Sequence, residues 1–341
     1  MRVKVVVTVC VAVGVIVLGV ALGSVWIPPG DILDIIRNKV FGTALAEHIT
    51  PSAVAIVWTL RLPRALLAFI AGAALSVSGA VMQSVLRNPL ASSYTLGISS
   101  GASLGACIIL LYGITIPFLG MMTLPITGFV FGLGTILLAI SFASRIDGQM
   151  ENNTIVLTGM VFSLFVNAVT TLLSAISREH LQRLLFWQMG SFAAKGWSPV
   201  YILTAIVIAG GLYVLHFNRE LDMMTFGEEQ AKTMGVNIKR VKWILLITSA
   251  ALTGSAIAFV GVIGFVDLVA PHIVRRLFGS SHRLVIPMTA LFGGTFMVIC
   301  DLASRTVVSP SELPVGAVTA IIGAPFFAYI YFGRRAKKAG S

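Results

Sequence analysis

Charge is scarce in this sequence. Only 11% of its 341 residues are Asp, Glu, Lys or Arg, less than half of the ~25% usual in soluble domains. With 57% apolar residues, that scarcity excludes a soluble globular protein, a disordered chain and a coiled coil. The alternation of apolar and polar residues that an outer-membrane barrel needs is also missing. Cysteine is sparse: Cys10, Cys107 and Cys300 sit in separate apolar runs with no CxxC spacing. Neither a disulfide framework nor a zinc site is supported, and the three read as small packing residues. There is no Walker A sequence GxxxxGK[ST], so the chain is not itself an ATPase of the usual kind. HExxH is absent, and the five histidines show no metal-ligand spacing.

What the sequence does have is long, continuous apolar runs. They cover about 5–26, 65–86, 96–113, 121–143, 154–176, 199–217, 243–260, 262–274, 284–303 and 314–332. A membrane helix needs about 20 apolar residues, so the fold class is an all-α polytopic membrane protein with about ten transmembrane helices. We read residues 1–341 as one membrane domain. The first run follows Arg2 and Lys4 and is longer than a signal-peptide core, so it is read as a retained span. The run at 262–274 is short and predicts a half-length or strongly flanked helix. A short amphipathic stretch is expected near 31–40.

Charge placement supports this count. With the N-terminus inside and the spans alternating, 16 of the 24 Lys and Arg fall inside, including the cluster at 334–338. The other eight, among them Arg178, fall outside. That bias follows the positive-inside rule and puts both termini in the cytoplasm. Gly19/Gly23, Gly101/Gly105 and Gly128/Gly132 have the GxxxG spacing that lets helices approach closely. Gly72, Gly79, Pro89 and Gly97 recur 182 residues later as Gly254, Gly261, Pro271 and Gly279, an echo that an inverted repeat or chance would produce.

Several polar features remain. Residues 218–242 form a long predicted cytoplasmic loop. Glu228, Glu229 and Ala231 suit a short helix whose first-turn acids complement the helix dipole, and Gly235 suits its C-terminal cap. Such a loop is either a solvated linker or a docking surface. Gly97-Ile98-Ser99-Ser100-Gly101 matches the nucleophile pattern GxSxG, but the strand-to-helix elbow is lacking, and a close-packed helix start explains it better. Asp267 and Asp301 are the acids in or beside apolar runs of the second half. Asp301 is spaced to pair with Arg305 at i,i+4. Asp267 suits capping of a short helix, with cation binding or pairing across helices as alternatives. Arg61-Leu62-Pro63-Arg64 lies at the outer mouth before the second span. With Arg305 it would form a basic patch suited to carboxylates, unless these are snorkelling helix-end arginines.

Arg61-Leu62-Pro63-Arg64, Gly79-Ala80-Val81-Met82-Gln83, Arg87-Asn88-Pro89-Leu90-Ala91 and Leu96-Gly97-Ile98-Ser99-Ser100-Gly101-Ala102 together resemble the FecCD-type permeases. Gly227-Glu228-Glu229-Gln230-Ala231, Pro271-His272-Ile273-Val274-Arg275-Arg276, Glu312-Leu313-Pro314-Val315-Gly316 and Ile322-Gly323-Ala324-Pro325-Phe326-Phe327 continue the likeness in order. These permeases are the membrane subunits of ABC importers for iron-siderophores, haem and vitamin B12. The resemblance implies a BtuC-like type II importer permease of ten helices, paired with a second copy or a close relative around a central pathway. It implies two cytoplasmic ATPases, which bind the ATP, seated on Gly227, Glu228, Glu229, Gln230, Ala231 and Gly235. It also implies an extracytoplasmic binding protein whose glutamates meet Arg61, Arg64 and Arg305. The fifth and tenth helices would line the pathway. No cofactor, resident metal, catalytic residue or nucleic-acid partner is implied, and the setting is the cytoplasmic membrane. Phe265-Val266-Asp267-Leu268 departs from the family, because many relatives carry glycine where Asp267 stands. The function expected is permeation of a metal chelate, most simply an iron-siderophore, with haem, cobalamin and molybdate open. An ion-coupled secondary transporter is the alternative.

Overall fold

The computed structural model describes residues 2–23, 25–176 and 181–339, with side chains to Tyr329. Arg178 and the side chains of the 334–338 cluster lie outside that range. Among the described residues there is no strand. The helices are α1 (Arg2–Ala21), α2 (Pro29–Phe41), α3 (Pro51–Val85), α4 (Ile98–Tyr112), α5 (Thr123–Ile146), α6 (Asn152–Ile176) and α7 (Leu181–Gln188). They continue as α8 (Trp197–His216), α9 (Asn218–Phe226), α10 (Glu228–Thr233), α11 (Ile238–Val260), α12 (Val266–Phe278), α13 (His282–Thr306) and α14 (Val315–Ala339).

Among the described residues, seven helices are long and apolar enough to cross a membrane: α1, α3, α5, α6, α8, α11 and α13. α4 and the described part of α14 are shorter apolar helices. The remaining apolar run of the ten becomes α12, only 13 residues long. At 1.5 Å per residue it is about 20 Å long, short of a ~30 Å hydrocarbon core, so it is the half-length helix that the short run predicts. The amphipathic stretch near 31–40 is α2, with Ile32 and Ile35 buried.

The second span begins well before its apolar run. The Thr50 hydroxyl accepts the amide N–H of Ala53, and Pro51 opens the helix, where a missing N–H costs nothing. Residues Ile56–Arg61 then form a π turn. Pro63 follows it, and its ring would crowd the carbonyl four residues back in a regular helix; the widened turn accommodates it. α3 is the central column of the fold, with most of its surface buried. Small residues allow the close approach. Gly72 lies against the Gly293 backbone of α13, and Gly79 against the Asp267 backbone of α12. Gly101 and Gly105 of α4 meet Thr127, Phe131 and Thr135 of α5, while Gly132 faces Ile98. These GxxxG pairs therefore pack helices, as their spacing indicates.

Candidate functional site

Residues 218–242 form two short helices and a cap. Gly227 separates α9 from α10 at φ +133, and Gly235 follows α10 at φ +88, backbone that a side chain would strain. Glu228 and Glu229 stand in the first turn of α10 and Lys232 in its last, an order that complements the helix dipole. Ala231 is buried beneath them. The Asn237 side chain accepts the Arg240 amide and starts α11.

α10 is anchored by Lys242. That side chain has no solvent exposure. Its ammonium donates to the Met150 carbonyl at 2.7 Å and to the Glu228 carboxylate at 2.9 Å. Met150 ends a tight turn in which Asp147 accepts the Gln149 and Glu151 amides, and these bonds hold the Asp147 carboxyl below its ordinary pKa. Lys232 bridges Glu229 and Gln149. One ammonium thus ties α11, the α5–α6 turn and α10 together. A charged residue on the buried face of a helix was the sequence signal for it, and it lay at the end of a loop read as either a solvated linker or a docking surface.

Two cavities flank this element. One, of about 740 Å3, brings Glu228, Glu229 and Lys232 together with Arg87 and Asn88 after α3 and Asn153 of α6. The other, of about 570 Å3, includes Gly235, Arg240, Arg219 and Glu220. Glu229 projects outward, its side chain 86% exposed and paired only with Lys232 of the same helix at 3.0 Å.

A polar chain leads inward from α9. Asp222 accepts from the backbone N–H of His282 at 2.8 Å and bonds its ring Nδ1 at 2.6 Å. The other ring nitrogen meets the Ser84 hydroxyl. Arg275 donates to Ser84, to the Ala80 carbonyl and to Gln83, and Gln83 donates to the Asp267 carbonyl at 3.1 Å. Asp267 lies in the first turn of α12, fully buried, and accepts from the Ser92 hydroxyl at 2.6 Å. Its place is that of an acid at a helix start.

At the opposite end, Arg61, Arg64 and Arg305 converge on one pocket of about 390 Å3, but their guanidiniums face inward. Arg61 donates to the carbonyls of Val20, Ala21 and Val25 at 2.7–3.0 Å. Arg305 donates to those of Leu22 and Gly19. Together they satisfy the carbonyls that the end of α1 leaves open. Arg64 bridges Asp301 at 2.9 Å and Glu312 at 2.7 Å. Asp301 also lies 3.6 Å from Arg305, the expected i,i+4 pair. Three positive and two negative side chains nearly cancel, so the free basic patch suggested by charge placement is not what the pocket presents. The i,i+4 spacing gave the Asp301 pair, but not the arginines' backbone partners, which lie up to 286 residues away in sequence.

Ser99 follows Gly97, whose φ is +90, in the opening turn of α4, and no strand precedes it. Among the described residues no group of three or more His, Cys, Asp or Glu is placed to hold a metal ion.

The profile of the FecCD transport family matches residues 10–333. The chain belongs to that family. It is 40% identical over 315 residues to the uncharacterized ABC transporter permease protein YvrB of Bacillus subtilis, covering 92% of this chain and 89% of that one. Identity to the cobalamin import system permease protein BtuC of Halobacterium salinarum is 36%, over 87% of this chain and 79% of that one. To the hemin transport system permease protein HmuU of Yersinia pestis it is also 36%, over 85% and 87%. An inward-facing structure of a metal-chelate type ABC transporter superposes with a TM-score of 0.84 at 28% identity, covering 98% of this chain and all of that one. The fold is that of an ABC importer permease, and the protein is a multi-pass membrane transport subunit.

Proposed function

We propose that this chain is the permease of an ATP-driven importer of a metal chelate, with an iron-siderophore as substrate. Two copies enclose the pathway, two separate ATPases supply the energy, and an extracytoplasmic binding protein delivers the cargo. Both termini face the cytoplasm, as the basic bias directs. The observation that carries the reading is α10, a short exposed helix locked by buried Lys242 to both α11 and the turn that starts α6. A push on Glu229 or Gln230 from an ATPase would be transmitted to α6 rather than absorbed by a flexible loop. Relatives named for cobalamin, hemin and iron-citrate support a bulky chelate as cargo.

Delivery is assigned to the outer pocket, with a changed division of labour. Arg61 and Arg305 hold the end of α1, which leaves Arg64, through its half-exposed partner Glu312, as the group that meets an acid on the binding protein. The ion-coupled alternative gains no support from the fold or the relatives.

The test is the mass of the intact complex, gently solubilised from its own host membrane. Two copies of this chain with two of an ATPase are expected. A chain or dimer without any ATPase across several mild detergents, together with uptake that survives ATP depletion, would overturn the reading.

A further inference from the structure

The transport reading leaves unused an apolar groove between α1, α12 and α13. Its volume is about 500 Å3, within the ~300–1,000 Å3 of small-molecule sites. Val7 and Val11, Ile273 and Leu277, and Phe292 and Phe296 supply its walls. The two hydroxyls that reach it are already committed within their own helices, Thr8 to the Lys4 carbonyl and Thr295 to the Leu291 carbonyl. The interior therefore asks for hydrocarbon and offers no free polar partner.

One end of the groove is charged. Lys4 is the single charged residue that lines it, and it donates to the Leu277 carbonyl at 3.1 Å. An ammonium has three donors, so two remain for another partner. Arg276, next to Leu277, and Arg283, at the start of α13, are exposed around the same α12–α13 turn. From Lys4 to Val11 the wall runs seven residues along α1, about 10 Å. One leaflet of hydrocarbon is about 15 Å deep, half the bilayer core. An apolar slot about two-thirds of that depth, basic at its rim, fits the upper part of one lipid chain beneath an anionic headgroup.

We propose that this groove is a binding site for an anionic phospholipid, with an acyl chain between α1, α12 and α13 and the phosphate on Lys4 and Arg276. Bound there, the lipid would tie the peripheral α1 to the half-length α12. The assignment holds whichever chelate is carried.

The test is native mass spectrometry of the protein in its native complex, delipidated and then titrated with phosphatidylglycerol or phosphatidylcholine of identical chains. Phosphatidylglycerol should be retained about tenfold better, given the preference of basic residues near a membrane surface for anionic lipid. K4E should abolish that preference. V11W, which fills the groove from a half-exposed wall position, should lower retention of both lipids without changing thermal unfolding of the delipidated protein. Equal retention of the two lipids by the unaltered protein would overturn the proposal. So would a preference that survives K4E, or retention untouched by V11W. A V11W protein that changes copy number but not lipid content would assign the groove to a second copy instead.

Discussion

Lys242 and Arg64 show how differently two cations are treated once they leave water. Lys242 has one carboxylate and one carbonyl, and no solvent exposure. Removing one member of a buried pair costs about 3–5 kcal/mol, because the other is left stranded. Glu228 keeps 22% exposure, so K242M should cost less, about 2–3 kcal/mol. The sharper expectation is non-additivity. E228Q should rescue part of the K242M loss, in both thermal unfolding and coupled uptake, and additive losses would remove the pair from its anchoring role. Arg64 is instead shared between buried Asp301 and half-exposed Glu312. If Arg64 docks an acid on the binding protein, Glu312 competes with that acid. E312Q should then tighten docking several-fold at low salt, where charge pairs are least screened, and R64E should weaken it. Affinity indifferent to E312Q would make Arg64 a purely structural residue.

The helix α12 sets the terms at the scale of elements. Its start is inside the protein, against Gly79, and its polar ties to α3 run through Gln83, Arg275 and Ser84. Any side chain at Gly79 would collide with the Asp267 backbone, and backbone there has little room to move because Gln83 holds the same carbonyl. G79A should therefore lower stability by at least the 1–3 kcal/mol typical of overpacking, more than alanine at Gly14, around which there is open space. Equal unfolding temperatures for the two variants would show that α12 is free to shift. Much of this level was legible in the sequence. The length of the 262–274 run gave the half-length helix, and the glycines and acids of 227–235 gave α10 with its cap, because these signals are local. The inward arginines and the Asp222–His282–Ser84 chain were not legible. Their partners come from helices far apart in sequence, and a charge pattern records a residue's sign but not its distant neighbour. The early start of α3 was hidden for another reason: its first turns are mostly apolar, but Arg61, Pro63 and Arg64 separate them from the apolar run at 65–86.

At the scale of the whole molecule, burial is very uneven. α3 is enclosed, whereas α6 and α8 show most of their surface. Both are apolar enough for lipid, but they differ in what they show. α6 exposes Asn153, Asn167 and Thr171 among Leu157, Leu164 and Phe165, while α8 exposes Tyr201, Ile208, Leu212 and Tyr213. Amides facing hydrocarbon are costly, so the α6 face is better suited to a water-lined pathway or a second copy, and the α8 face to lipid. α6 also borders the cavity shared with Glu228, which connects this face with α10. A cysteine at Leu164, 70% exposed, should therefore cross-link to its counterpart in a second copy. One at Leu212, 63% exposed, should not. Exposed Cys10 has to be replaced first, whereas Cys107 and Cys300 are buried. Cross-linking at Leu212 but not at Leu164 would move the partner to α8 and with it the pathway, and α10 would then need another route to the cargo than its link to the start of α6.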